Sequence, residues 1–243
     1  MATSTLPARQ DTSRRSSITM KVIMAISGLY LVFFVLFHMY GNLKLFAGQA
    51  AFDEYAHHLR TMFMPILPHS GFLWIFRLTL LVAVVAHVWA AIQLTGRAHA
   101  ARKDRYAVKR TVRATLASRT MRWGGVALVV FIVWHLLHFT IAKINVNSGY
   151  SEADLMVGGH ESPFLLTFAA FSTWWMTLLY LLAMVALGMH LRHGIYSSIQ
   201  TLGGTNTKRA NRTANLVSIA LALVIAVGFV VPPLAIVLGI IGK

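Results

Sequence analysis

Five stretches of this chain, at about residues 22–47, 71–95, 123–143, 164–195 and 214–240, are apolar almost throughout. Each is long enough to cross the hydrocarbon of a bilayer, which takes roughly 20 apolar residues as a helix. Inside hydrocarbon every backbone N–H and C=O must be bonded within the segment, so runs of this kind have one solution, the α-helix. The expected fold is all-α: a polytopic membrane protein, a bundle of five transmembrane helices with its N-terminus cytoplasmic. Residues 1–21 then form a cytoplasmic N-terminal segment and residues 22–243 the transmembrane domain. The fourth stretch is long enough to span with tilt or to project at one end. A composition 57% hydrophobic and 12% charged agrees. No loop left over exceeds about 30 residues, the size of one βαβ unit and too small for a soluble catalytic domain. Such a chain conducts, carries, anchors or signals; it does not process a water-soluble substrate unaided.

The net charge of +15 is distributed as membrane topology, not as a nucleic-acid surface. Arg9, Arg14, Arg15 and Lys21 precede the first span. Arg97, Arg102, Lys103, Arg105, Lys109, Arg110, Arg113, Arg119 and Arg122 lie between the second and third, and Lys208, Arg209 and Arg212 after the fourth. All three segments fall on one side of a five-span chain. The other side holds Lys44, Arg60, Lys143 and Lys243 together with Asp53, Glu54, Glu152, Asp154 and Glu161. The excess of Lys and Arg marks the basic side as cytoplasmic. A basic inner face ordinarily reports topology and anionic lipid; the sharper reading is a docking surface for a cytoplasmic partner. These sides are called inner and outer below.

The chain has no cysteine, which excludes disulfides, c-type haem attachment and any iron–sulfur centre held by its own thiolates. Between the first two spans, Ala51–Met62 is expected to form a surface helix with Phe52, Tyr55, Ala56 and Leu59 on one face. The loop histidines His57, His58 and His69 read as solvated or interfacial. The basic loop 97–120 has no Pro or Gly after Gly96 and is expected to be largely helical. Asn147-Ser148-Gly149 and Gly158-Gly159 are turn signals. Pro232-Pro233 is expected to kink the outer half of the fifth span. Arg77, inside the second span, either snorkels outward or pairs with an anionic ligand group.

Histidines carry the chemistry. His190 and His87 lie within apolar runs, where an ionisable side chain is costly and marks function. Ala186 and Gly194 flank His190 at i±4, and Ala83 and Ala91 flank His87, so each shares its helix face with small residues. A flat macrocycle can approach such a surface, and two histidines from two helices make a bis-imidazole haem site. At 1.5 Å rise per residue, His38 lies roughly 24 Å and His135 roughly 18 Å above the inner ends of spans one and three. His87 and His190 lie in the inner half. The four sort by depth into an inner pair, His87/His190, and an outer pair, His38/His135. The outer pair has bulkier neighbours, Phe34 and Asn42 beside His38 and Phe131 and Phe139 beside His135. The competing reading is helix-to-helix hydrogen bonding by buried imidazoles, about 0.6 kcal/mol each. His138 and His193, one turn from these positions, read as partners of a ligand, a propionate or a quinone.

Short motifs in this order resemble a known family. They are Ser17 to Lys21 leading into Ala25-Ile26-Ser27-Gly28 and Phe37-His38, then Ala86-His87-Val88-Trp89, Val133-Trp134-His135, and Met189-His190 before Gly194-Ile195-Tyr196. Over about residues 20–240 the chain resembles the five-helix, b558-like cytochrome b membrane subunit of succinate dehydrogenase or fumarate reductase. The resemblance implies a succinate:quinone oxidoreductase, respiratory complex II, in a bacterial plasma membrane. It implies a flavoprotein subunit and an iron–sulfur subunit on the cytoplasmic face, with electrons passing between the iron–sulfur subunit and membrane quinone. It also implies haem b, one or two, with the family's His ligands carried over to His87/His190 and His38/His135. Some relatives place an Arg before the Ser-Gly of helix one, where this chain reads Met24-Ala25-Ile26-Ser27. The quinone contacts near the inner surface are expected among Ser17, Lys21, Trp123, His193 and Tyr196. A non-haem iron centre ligated by the histidines and by thiolates of a partner subunit remains an alternative.

Two other classes compete: a cofactor-free membrane anchor, and a proton channel or transporter using His as relay groups. Transporters favour spans broken by Gly or Pro at corresponding positions, and proton paths favour Asp or Glu within spans. Here the one Pro pair sits in span five, and the spans hold no Asp or Glu. An anchor explains the basic face but not the paired histidines.

Overall fold

The computed structural model describes residues 12–101 and 116–242. Five helices in it are long and apolar enough to cross a membrane: Ser17–Ala47, Gly71–Ala100, Thr120–Ile141, Trp174–Thr201 and Lys208–Val237. In chain order the α-helices are α1 (Thr12–Leu43), α2 (Gln49–Thr61), α3 (Gly71–Ala100), α4 (Leu116–Leu136), α5 (Pro163–Phe171), α6 (Trp174–Thr201) and α7 (Lys208–Val237). The protein is an all-α integral membrane protein. The turn of 3₁₀-helix Lys44–Ala47 continues α1, and a π-helical turn, Leu137–Ile141, continues α4. The basic loop expected to be helical falls mostly in residues 102–115, outside the described residues. α1 begins at Thr12, inside the segment 1–21 expected to precede the first span.

Packing is organised on α6, which touches α1, α4 and α7, while α1 also packs on α3 and α7. Small residues set the close approaches. A Cβ on Gly188 of α6 would lie 3.4 Å from Ala226 of α7, and Met39 of α1 fills the space over Gly228 of α7. The outward faces of the spans carry Leu, Ile, Val, Phe and Trp in the open, as lipid requires. At the inner end Arg97 of α3 donates to Ser17 Oγ of α1 at 3.0 Å, and Arg122 of α4 donates to His99 Nε2 of α3 at 2.9 Å.

The outer end is closed by the short elements. α2 lies where the surface helix was expected and turns Phe52 onto Phe164 of α5, ring centroids 6.2 Å apart. Gly158 and Gly159 both have positive φ, 56° and 77°, and form the turn of a two-strand hairpin, β1 (Met156–Val157) with β2 (His160–Glu161). Lys143 Nζ pairs with Glu161 of that hairpin. Ser162 caps α5, its Oγ accepting from Leu165 N at 3.2 Å, and Pro163 fills the first helical position. Asp53 of α2 accepts from Ser162 Oγ and from Phe164 N at 3.0 Å. A carboxylate at a helix N-terminus is favourably placed.

The fourth apolar stretch, expected as one helix over 164–195, is two. α5 ends at Phe171 and α6 starts at Trp174. Ser172 Oγ donates to Phe168 O at 2.7 Å, and Thr177 Oγ1 donates to Phe171 O at 3.0 Å. Thr173 between them is extended, φ −92° and ψ 109°. Phe168 O still receives Ser172 N as in a continuing helix, while the Phe171 carbonyl is taken by the Thr177 hydroxyl. The span therefore begins at Trp174, and α5 belongs to the outer cap.

Candidate functional site

The inner pair is built from four helices. His87 of α3 faces α1, with Nδ1 3.1 Å from Met24 O and 3.3 Å from Ser27 Oγ. Ser27 Oγ gives its own proton to Ile23 O at 2.7 Å, so toward the imidazole it accepts. With two acceptors in front of it, Nδ1 carries the proton and Nε2 keeps its lone pair. That is the tautomer of a histidine that binds metal through Nε2. His190 of α6 meets His87 with ring centroids 6.1 Å apart and planes at 63°. His190 Nδ1 is buried and has no hydrogen-bond partner among the described residues. Each ring lies against a glycine of another span. A Cβ on Gly28 of α1 would stand 3.1 Å from His87 Cε1, and one on Gly125 of α4 would stand 3.7 Å from His190 Cε1.

The outer pair has the same donors in different surroundings. The rings of His38 of α1 and His135 of α4 are 5.7 Å apart at 79°. Phe34 stacks on His38 at 5.3 Å and Phe131 on His135 at 5.9 Å. Phe229 of α7 and Phe139 complete an aromatic wall. Tyr180 of α6 places its hydroxyl 3.3 Å from His135 Nδ1 and 3.1 Å from His138 Nδ1. His138, in the π-helical turn, is completely buried, and its Nε2 has no partner among the described residues. Turns of this kind recur at functional sites.

Three helices measure the separation of the two levels. Gly28 and His38 on α1, Gly125 and His135 on α4, and Tyr180 and His190 on α6 are each ten residues apart. In every case one residue touches the inner pair and the other belongs to the outer. Ten residues of helix rise about 15 Å.

Of the residues expected to contact quinone, Ser17 accepts from Arg97, and Lys21 is exposed. Trp123 is 79% exposed on the lipid side of α4. His193 is half-buried one turn from His190. Tyr196 accepts from Asn211 Nδ2 at 3.0 Å. None of the five lines the 410 Å³ inner cavity between Ile199 and Val217 or the 460 Å³ outer cavity beside Leu45 and Phe164. Arg77 is exposed and stacks over Trp74, 5.3 Å from the ring centroid, the outward alternative of the two.

Sequence reasoning looked for small neighbours along each histidine's own helix. The residues against the rings, Gly28 and Gly125, come from other helices, and Tyr180 was not singled out. A signal for them exists: Gly28 and Gly125 each stand ten residues before the outer His of their own span.

The donors fit an iron macrocycle held by two imidazoles. Metal–nitrogen bonds of about 2 Å on both sides of one ion put the two ring centroids about 6 Å apart, and both pairs stand near that distance. His87 and His135 each engage Nδ1 and leave Nε2 to ligate. The glycines leave open the faces beside the inner rings. Comparison with curated proteins and with solved structures gives no match. A family model described as "Succinate dehydrogenase/Fumarate reductase transmembrane subunit" matches residues 96–230, more than half of the chain, from the end of α3 through α4, α5 and α6 into α7. The chain belongs to the family of succinate dehydrogenase/fumarate reductase transmembrane subunits.

Proposed function

We propose that this subunit carries electrons between an iron–sulfur subunit on its basic inner face and quinone in the membrane, through haem b held by His87/His190 and by His38/His135. The single observation that supports this most is the meeting of four imidazoles from four spans as two ring pairs, one above the other. Hydrogen-bonded glue between helices needs neither the pairing nor the repeated interval.

Held by these histidines, haem b would supply reversible one-electron chemistry at a potential set by its ligands and their surroundings. The chain's own residues do the rest. Met24 O and Ser27 hold the His87 ring and fix its proton on Nδ1. Tyr180 Oη lies 3.3 Å from His135 Nδ1. Phe34, Phe131, Phe139 and Phe229 keep the outer pair dry. Arg97, Arg122, Arg192 and Arg209 give the inner end its positive charge, which suits an acidic docking surface on the iron–sulfur subunit and fits a cytoplasmic inner side. The flavoprotein docks through that subunit. Quinone is the membrane substrate, and Ser17, Lys21, Trp123, His193 and Tyr196 are its proposed contacts at the inner surface.

The test is a reduced-minus-oxidised visible spectrum of the purified complex, with haem and iron quantified on the same sample. A bis-imidazole b-type spectrum with two haems per subunit is expected; one haem leaves the inner pair as the site. No haem, with iron in excess of the soluble subunits' clusters, moves the histidines to a non-haem centre. Neither haem nor excess iron leaves an anchor.

A further inference from the structure

Two imidazole nitrogens, His135 Nδ1 and His138 Nδ1, face one phenol, Tyr180 Oη, at 3.3 and 3.1 Å. A phenol has one proton to give and lone pairs to receive. For its own buried proton to find an acceptor it donates to one nitrogen, and it then accepts from the other. The geometry alone permits either direction. The reading of His135 as an iron ligand, on which this inference rests, selects one. A ligand that binds through Nε2 carries its proton on Nδ1, so His135 Nδ1–H donates to Tyr180 Oη. Tyr180 O–H then donates to His138 Nδ1, and His138 keeps its proton on Nε2.

We propose that Tyr180 is a positioning residue for the outer redox centre, that it fixes the tautomer and electron density of His135, and that His138 holds Tyr180 in its accepting orientation. The three groups form a one-way chain of donors, His135 to Tyr180 to His138. Its middle and far end are buried, Tyr180 being 7% exposed and His138 not at all, and His135 is partly buried. Phe131, Phe139 and Phe171 close round the phenol, so water does not substitute for either bond. In a dry site each hydrogen bond polarises the next. An acceptor on Nδ1–H makes the imidazole a stronger donor to iron, which favours the oxidised state and lowers the potential. His138 strengthens that effect by drawing on the far side of the phenol. The inner histidine has a backbone carbonyl, Met24 O, in the same role. The outer centre thus has a side-chain lever where the inner has a fixed one.

The experiment is a potentiometric titration of the purified complex, followed in the visible α-band, with haem content measured beside it. The set is wild type, Tyr180→Phe, His138→Phe, the double variant and His135→Ala. Tyr180→Phe is expected to keep both haems. It should raise the outer midpoint by about tenfold in the reduced-to-oxidised ratio at fixed potential, about 59 mV for one electron, and leave the inner midpoint unmoved. His138→Phe should move it the same way by less. The double variant should match Tyr180→Phe alone, since the two act through one path. Unchanged midpoints in Tyr180→Phe with full haem content overturn the proposal, as does an additive double variant. If Tyr180→Phe loses the outer haem, His138→Phe decides: a raised midpoint sustains the chain of donors and an unchanged one overturns it. Full haem content in His135→Ala overturns the ligand reading itself, separately from the role of Tyr180.

Discussion

The inner and outer histidine pairs share their donors and differ in everything around them. The inner rings meet glycines and backbone carbonyl, Gly28, Gly125 and Met24 O. The outer rings meet Phe34, Phe131, Phe139, Phe229 and the Tyr180 hydroxyl. Space defines the first site and aromatic packing the second. If both pairs hold haem b as proposed, two such environments should give two different potentials, because burial and hydrogen bonding to the ligands are the protein's levers on a bound iron.

The strongest way to break this comparison is to delete one side of it. His190→Ala should abolish the inner centre and halve haem per complex, while the subunit still inserts and the outer spectrum persists. Haem assay and membrane fractionation check both. A His190→Ala complex with unchanged haem would end the inner assignment.

A finer cut uses the two glycines. A Cβ at Gly28 would press on His87 at 3.1 Å, and one at Gly125 would rest at 3.7 Å from His190. Gly28→Ala should lower occupancy of the inner centre or shift its spectrum, and Gly125→Ala should be tolerated. Equal effects of the two, in haem content and α-band position, would show that space beside the rings is not what the glycines supply.

Ser27→Ala should do less. Met24 O remains as acceptor for His87 Nδ1, so the inner reduced-to-oxidised ratio should move by under about threefold, a fraction of the interaction of one neutral hydrogen bond. A larger shift in the same titration would make the serine, not the carbonyl, the principal partner.

The smallest effect on either site is expected from Asp53→Asn. This residue ties α2 to the N-terminus of α5, well away from the inner pair. Loss of the charge should cost about 1 kcal/mol of stability in the outer cap. A thermal melt of the complex should fall by a few degrees while both midpoints stay in place.

Much of this was readable from the chain. Five spans follow from length and apolarity alone, and the two histidine levels follow from helical rise and the alternation of span direction. The break between α5 and α6 was not legible, because its signal is Ser172-Thr173 in an apolar run and not a glycine or proline. The surroundings of the rings were harder still. Ala83, Ala91, Ala186 and Gly194 lie on the histidines' own helices, but the atoms that meet the rings belong to other spans. Only after α1 is laid against α3, and α4 against α6, do Gly28 and Gly125 acquire a role. Tyr180 is one of seven tyrosines, and nothing in its immediate sequence separates it from the rest. The quinone contacts were inferred from nearness to the inner surface, and Ser17 and Tyr196 turn out to be engaged by Arg97 and Asn211.

The shared ten-residue interval has a consequence for how such a subunit can change. One residue inserted between the two levels of a helix turns everything beyond it by about 100°. A histidine so displaced no longer faces its partner. Two whole turns, about seven residues, would restore the direction, but only if α1, α4 and α6 lengthened together. Single insertions and deletions are therefore expected to be tolerated beyond the two levels and in the loops, and not between them. Thicker or thinner bilayers can be met at the ends of the helices, while helix geometry holds the interval between the two pairs fixed.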